Sequence, residues 1–254
     1  MTWTWIAPLS RYDLKLIGRD RFLLLMFGFN FIMAALLRWL LPWAHQTLSS
    51  KGLLPSNSLP FSLADCYPLL MAYFSFFEGA VIAGIIFGFM LLDEKDETTL
   101  QALLVTPVPI QHYLLYRIGL SYLAALAFIW VMYLGIGLVP LAPGPLLLLS
   151  LGGALTAPLV LLFFALAAEN KVQGFAMSKF TGIAGWVILF GWFVPEPWQW
   201  LLGVFPPFWI SQAYWLYLVQ SPHWWLCLLP GFGLQLLLTV GLLWCFQQQV
   251  YQNS

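Results

Sequence analysis

Six long apolar runs alternate with short polar or proline-rich segments, and they set the architecture that the chain predicts. They cover residues 22–41, 67–92, 113–139, 145–168, 180–194 and 224–246. A helix rises about 1.5 Å per residue, so crossing the hydrocarbon core takes roughly 20 mostly apolar residues. The pattern therefore predicts an all-α membrane protein, a single transmembrane domain over residues 1–254 with six spans. Ahead of the first span, residues 1–21 mix Trp3, Trp5, Ile6, Leu9, Leu14 and Leu16 with Arg11, Lys15, Arg19 and Arg21. Basic residues alternating with Trp and Leu at helical spacing predict a helix lying in the interface plane. No small-residue cleavage site follows the first apolar run, so a cleavable signal is not expected.

Composition agrees with this reading. The chain is 61% hydrophobic and 8% charged, with mean hydropathy +0.85, outside the soluble globular range. Formal net charge is zero, which points to no nucleic-acid partner. Arg11, Lys15, Arg19, Arg21, Lys95, Arg117, Lys171 and Lys179 fall on one side of the predicted spans; only Arg38 and Lys51 fall near the other. By the bias of Lys and Arg toward the cytoplasm, both termini and the segment 93–117 are expected inside, as in a bacterial inner-membrane protein. The loop 42–66 and the turn 140–145, rich in proline and nearly free of charge, are expected outside.

The segment from Asp93 to Arg117 is the main polar interruption. Thr98 and Gln101 have capping-box spacing, Asp96 and Glu97 sit at the positive helix end, and Pro107 disfavours helix in the residue before it. A short helix over 98–106 follows, with Pro109 opening the next one. At about two turns it is too short to be stable alone and must be held by packing. The carboxylates of Asp93, Glu94, Asp96 and Glu97 admit three readings: a solvated helix end, a docking surface for a partner, or a site for a hard cation.

Glu78 and Arg38 are ionisable residues within the first two apolar runs. Glu78 falls near the bilayer midplane, where such groups are costly and are usually functional or paired. It is either a substrate or proton site, or a structural group that is protonated or paired with Arg38. Ala80, Gly84 and Gly88 recur every four residues on the second span and predict close helix packing, against the fifth span or the same span of a second copy. The tryptophans between Pro195 and Trp225 fit an interfacial belt, with an aromatic substrate surface as the other reading, and a short amphipathic or re-entrant helix is expected between Pro206 and Gln220. Cys66 and Cys227 are expected to be inert thiols rather than a disulfide. The scattered His45, His112 and His223 do not suggest a shared metal or catalytic site. No phosphate-binding loop, nucleophile elbow or zinc-protease motif occurs, so the chain is not expected to hydrolyse ATP by that route.

The run from Glu94 to Pro107, with its acidic turn, Thr98-Thr99-Leu100, Leu103-Leu104 and Thr106-Pro107, resembles the cytoplasmic segment of type-2 ABC transporter permeases. The segment Arg19-Asp20-Arg21-Phe22, the turn from Glu169 to Gly174 and Phe205-Pro206-Pro207-Phe208-Trp209 are similar to that family as well, so the likeness covers nearly the whole chain. Thr98 stands where the family usually has glycine. The overall pattern is similar to fluoroquinolone-export permeases. The resemblance implies a permease subunit of an ATP-driven exporter, of the multidrug-efflux kind, with no cofactor of its own and with ATP and Mg held by a separate ATP-binding cassette subunit. It implies a coupling helix in which Glu94, Glu97, Thr98, Thr99, Leu100, Leu103, Leu104, Thr106 and Pro107 dock on that subunit. It also implies a second permease copy, identical or related. The competing expectation is an intramembrane lipid-modifying enzyme, using the acidic cluster to hold a divalent cation.

Overall fold

A computed structural model of the chain describes residues 15, 18–51, 63–96 and 110–252. The expected helix over 98–106, and most of the expected interfacial helix over 1–21, lie outside these residues. The described chain is all-α, without strands, and six of its helices are long and apolar enough to cross a membrane. The long helices are α1 (Arg21–Ser50), α2 (Ala64–Asp96), α3 (Ile110–Ile136), α4 (Pro143–Ala167), α5 (Lys171–Gly191) and α7 (Leu228–Gln252); α6 (Pro206–Leu218) lies between the last two.

The helix α2 is the axis of the bundle. Its most apolar stretch is 94% buried, against 22% for the equivalent stretches of α1 and α5 and 28% for the last span. A helix that is apolar all round is one made for burial on every side, while the peripheral helices keep faces for lipid. In lipid the hydrophobic effect does not drive helices together, so close approach of small residues counts for more. An added Cβ on Gly84 would lie 2.6 Å from Cβ of Val160 and 2.7 Å from the carbonyl of Ala157, and one on Gly88 would lie 3.1 Å from Phe164. Ala80 is fully buried. The stripe at Gly84 and Gly88 thus meets α4, not the fifth span or a second copy as the sequence suggested. The pattern of small residues marks the face but carries no information about which helix fills it.

Some polar groups inside the bundle are satisfied by neighbouring helices, as at the break in α4. α4 breaks at Leu155, whose amide donates to the carbonyl of Gly152 at 3.3 Å. The Gln235 amide of α7 donates to that carbonyl at 3.1 Å and to Gly231 at 3.0 Å, and accepts from the Thr156 hydroxyl at 3.0 Å. Helix limits also differ from the apolar runs. α1 continues through Pro42 to Ser50, so part of the expected outer loop is helical. α5 begins at Lys171 because Asn170 caps it, accepting from the Gln173 amide at 3.0 Å, while the Gln173 side chain accepts from the Glu169 amide at 2.9 Å. α6 is buried along most of Pro206–Trp215, so it is inserted among the spans rather than lying on them. Cys66, Cys227 and Cys245 are free thiols.

Candidate functional site

The polar residues gather at the end of the bundle from which residues 97–109 leave and return. Glu94, on the last turn of α2, is buried; its carboxylate accepts from the Arg117 guanidinium and the Tyr113 hydroxyl of α3. Arg117 Nε donates in turn to the Tyr113 hydroxyl at 2.8 Å, and the Arg117 side chain is 1% exposed. Tyr113 and Arg117 are four residues apart on one helix face, so together they clamp both ends of the polar segment. Glu94 thus faces the interior rather than a partner, which corrects its expected place on the docking surface, and Arg117 is buried beside it. An arginine in hydrocarbon surroundings needs a carboxylate, and Glu94 supplies it.

The other carboxylates of the acidic cluster go elsewhere. Asp93 accepts from Lys171 Nζ at 2.9 Å, and Asp96 from the Lys171 backbone amide at 3.3 Å. The same ammonium reaches Asp20 at 2.9 Å, so one lysine at the start of α5 joins α2 to the N-cap of α1. Lys95 turns to α4, donating to the carbonyls of Ala165 at 3.3 Å and Ala168 at 3.0 Å, where a cation complements the helix C-terminus. Asp93, Glu94 and Asp96 therefore serve separate cationic or amide partners and do not converge on one point. Among the described residues no three His, Cys, Asp or Glu could share a metal ion.

Asp20 links this network to pH. Burial would raise its carboxyl, but the Lys171 ammonium and the amides of Phe22 and Leu23 outweigh that and hold it below its ordinary value of 3.8. A depressed folded value means that its stabilisation is complete above 3.8 and fades as pH falls through the lower folded value. Asp20→Asn keeps a good N-cap but loses the ion pair. We expect it to lower stability by about 0.2–1 kcal/mol at neutral pH, because the pair is partly exposed. The gap between variant and wild type in thermal unfolding should close, not widen, as pH falls below about 4.

Deeper in the membrane, Glu78 ends a π-helical stretch of α2, Ala72–Glu78. Its Oε2 is shielded and, among the described residues, has no hydrogen-bond partner. The pairing with Arg38 that the sequence allowed does not form: Arg38 Nη1 donates to the Gly135 carbonyl at 3.3 Å, at the end of α3. Beside this stretch, a cavity of about 500 Å³ opens between α2, α4, α5, α6 and α7, with an almost wholly apolar wall that includes Phe77, Val81, Phe163, Phe180, Phe205 and Leu238. That volume is in the range of small-molecule sites.

Residues 13–243 match the family described as fluoroquinolones export permease protein Rv2686c-like. The chain belongs to this family. Two curated relatives from Mycobacterium tuberculosis are the fluoroquinolones export permease proteins MT2760 (strain CDC 1551 / Oshkosh) and Rv2686c (strain ATCC 25618 / H37Rv). Each is 30% identical over 233 residues, covering 89% of this chain and 87% of the relative. No solved structure matches the chain. As a member of the family the protein is a multi-pass membrane transport permease. The permease's clamp of Glu94, Tyr113 and Arg117 was not read from the sequence, although Tyr113 and Arg117 at four-residue spacing beside an apolar run offered the signal. The apolar cavity had no such signal, since its wall repeats the composition of every other surface in the bundle.

Proposed function

We propose that the permease is the membrane subunit of an ATP-driven exporter, with both termini and the segment 97–109 in the cytoplasm of a bacterial cell. Membership of an export-permease family over residues 13–243 carries this reading. The energy comes from a separate ATP-binding cassette subunit that binds ATP and Mg, and Glu97, Thr98, Thr99, Leu100, Leu103, Leu104, Thr106 and Pro107 form the coupling helix that docks on it. Glu94, with Tyr113 and Arg117, holds the two flanks of that helix together, so a push on it is passed to α2 and α3 as a unit. Two permease copies, identical or related, complete the pathway, and closure of the ATP-binding subunits biases the spans between inward-open and outward-open packings. The cargo is of the fluoroquinolone kind named for the relatives: small, aromatic and drug-sized.

The decisive measurement is capture of the ATP-binding subunit by tagged permease. Wild type should retain it, and Leu100→Asp with Leu103→Asp should lose it by at least about tenfold while the permease stays folded in the membrane. Each buried charge costs several times the interaction that it replaces. Retention of the subunit by the double variant removes the docking assignment. The lipid-modifying alternative gains nothing from the geometry, since Asp93, Glu94 and Asp96 are each drawn to a different partner.

A further inference from the structure

A carboxylate deep in an apolar helix calls for a cation, and the residues around Glu78 indicate which kind. α2 is the most buried helix of the bundle, and Glu78 closes its only π-helical stretch, a feature frequent at functional sites. Among the described residues, no lysine, arginine or histidine pairs with Glu78. The cations resolved in polar contacts are engaged elsewhere: Arg38 at the end of α3, Lys95 on α4, Arg117 with Glu94, and Lys171 with Asp20 and Asp93. Among the described residues, Glu78 Oε2 accepts from nothing. In a π-helix residues five apart lie over one another, so Tyr73 sits one turn below Glu78. Tyr73 packs on Phe74 and Phe77 with ring centroids 5.0 and 5.8 Å apart. Gly185 of α5 makes room for two of these rings: a Cβ there would lie 2.6 Å from Phe77 and 2.9 Å from Tyr73.

Phe77 and Val81, which flank Glu78 along α2, both line the apolar cavity. Its two hydroxyls are already used, Thr156 donating to Gln235 and Thr181 to the Ser178 carbonyl. The cavity itself thus has no free donor for a ligand, and polar recognition has to come from its margin.

We propose that Glu78 and the rings of Tyr73, Phe74 and Phe77 bind the cationic group of an amphiphilic aromatic amine whose apolar body occupies the adjoining cavity. An unpaired carboxylate supplies the charge, and aromatic faces select an organic cation over a hydrated metal ion. The inference rests on the exporter reading for its biological meaning, but the binding itself needs neither ATP nor transport.

The test uses the full-length permease in nanodiscs of uncharged lipid, with empty nanodiscs subtracted. The probes are tetraphenylphosphonium, a permanent aromatic cation, and triphenylphosphine oxide, its neutral counterpart. We expect saturable binding of the cation by wild type, a loss of about tenfold or more in Glu78→Gln, retention in Glu78→Asp, and no change for the neutral probe between the variants. A second readout needs only the wild type: labelling of Glu78 by dicyclohexylcarbodiimide, followed by peptide mass, should be blocked by the cation and not by the neutral probe. The assignment is overturned if wild type does not bind the cation saturably, if Glu78→Gln binds it as wild type does, if both probes weaken equally, or if the cation leaves labelling unchanged. Capture of the ATP-binding subunit, measured separately, reports on the exporter reading, so failure of either idea is seen apart from the other.

Discussion

Arg117→Leu destabilises the permease by about 3–5 kcal/mol. The reason lies in what is left behind. Glu94 is buried on α2, and without the guanidinium its carboxylate loses its ion pair and keeps the Tyr113 hydroxyl. Glu94→Leu carries a comparable penalty, since it leaves a guanidinium that is 1% exposed without its carboxylate. Attraction within such a pair barely offsets the desolvation of both charges, so the double variant Glu94→Leu, Arg117→Leu should lose less than either single change. Thermal unfolding of the four proteins in one detergent forms the cycle, and a coupling of about 2 kcal/mol or more is expected. Strict additivity would mean that the two side chains do not act as a pair. The same cycle bears on coupling. If the clamp transmits force from the segment 97–109, the double variant folds and captures the ATP-binding subunit, yet exports poorly. Capture with full export would show that the clamp is needed for folding alone.

The spans were legible because lipid imposes length and apolarity on every crossing segment, and those two properties are written in consecutive residues. Partner choice is written across the fold instead. The sequence shows that Glu94 and Arg117 are chargeable groups beside apolar runs; that they meet depends on α2 and α3 packing at one level. Lys171 is similar: nothing in the turn Glu169–Gly174 reveals that its ammonium will reach both Asp20 and Asp93, far away in the chain. Arg38 was drawn toward Glu78 only because both lie in apolar runs, whereas the end of α3 offers it the carbonyl of Gly135 without crossing the bundle. Capping needs no tertiary knowledge, because donor and acceptor are two or three residues apart: Asn170 accepts from the Gln173 amide, and Asp20 from the amides of Phe22 and Leu23.

Gly84→Ala is the other change expected to have a large effect, and three glycines of α2 make it a graded test. At Gly79 an added Cβ meets backbone atoms of Ile129 and Phe128 at 3.5 Å or more, ordinary contact; at Gly88 it meets Phe164 at 3.1 Å; at Gly84 it meets Val160 at 2.6 Å and the Ala157 carbonyl at 2.7 Å. Alanine in a helix is intrinsically better than glycine by about 0.4–1 kcal/mol, so Gly79→Ala should be neutral or stabilising. Gly88→Ala requires Phe164 to yield by a few tenths of an ångström and should come out near balance. Gly84→Ala should destabilise by about 1–3 kcal/mol, because overpacking there forces α2 and α4 apart. Val160→Ala removes only the Cγ1 contact at 3.0 Å and leaves both the Val160 Cβ position at 2.6 Å and the Ala157 carbonyl at 2.7 Å, which stay with the backbone of α4. The pair Gly84→Ala, Val160→Ala should therefore recover only part of the loss seen in thermal unfolding. Full recovery would place the whole conflict in the side chain, and equal tolerance of alanine at all three glycines would mean that α2 and α4 do not pack this closely in the membrane. Because α2 also carries Glu78 and ends in the Glu94 clamp, a shift of α2 relative to α4 would move the deep carboxylate and the polar end together, and the export defect of Gly84→Ala should exceed what its loss of stability alone produces.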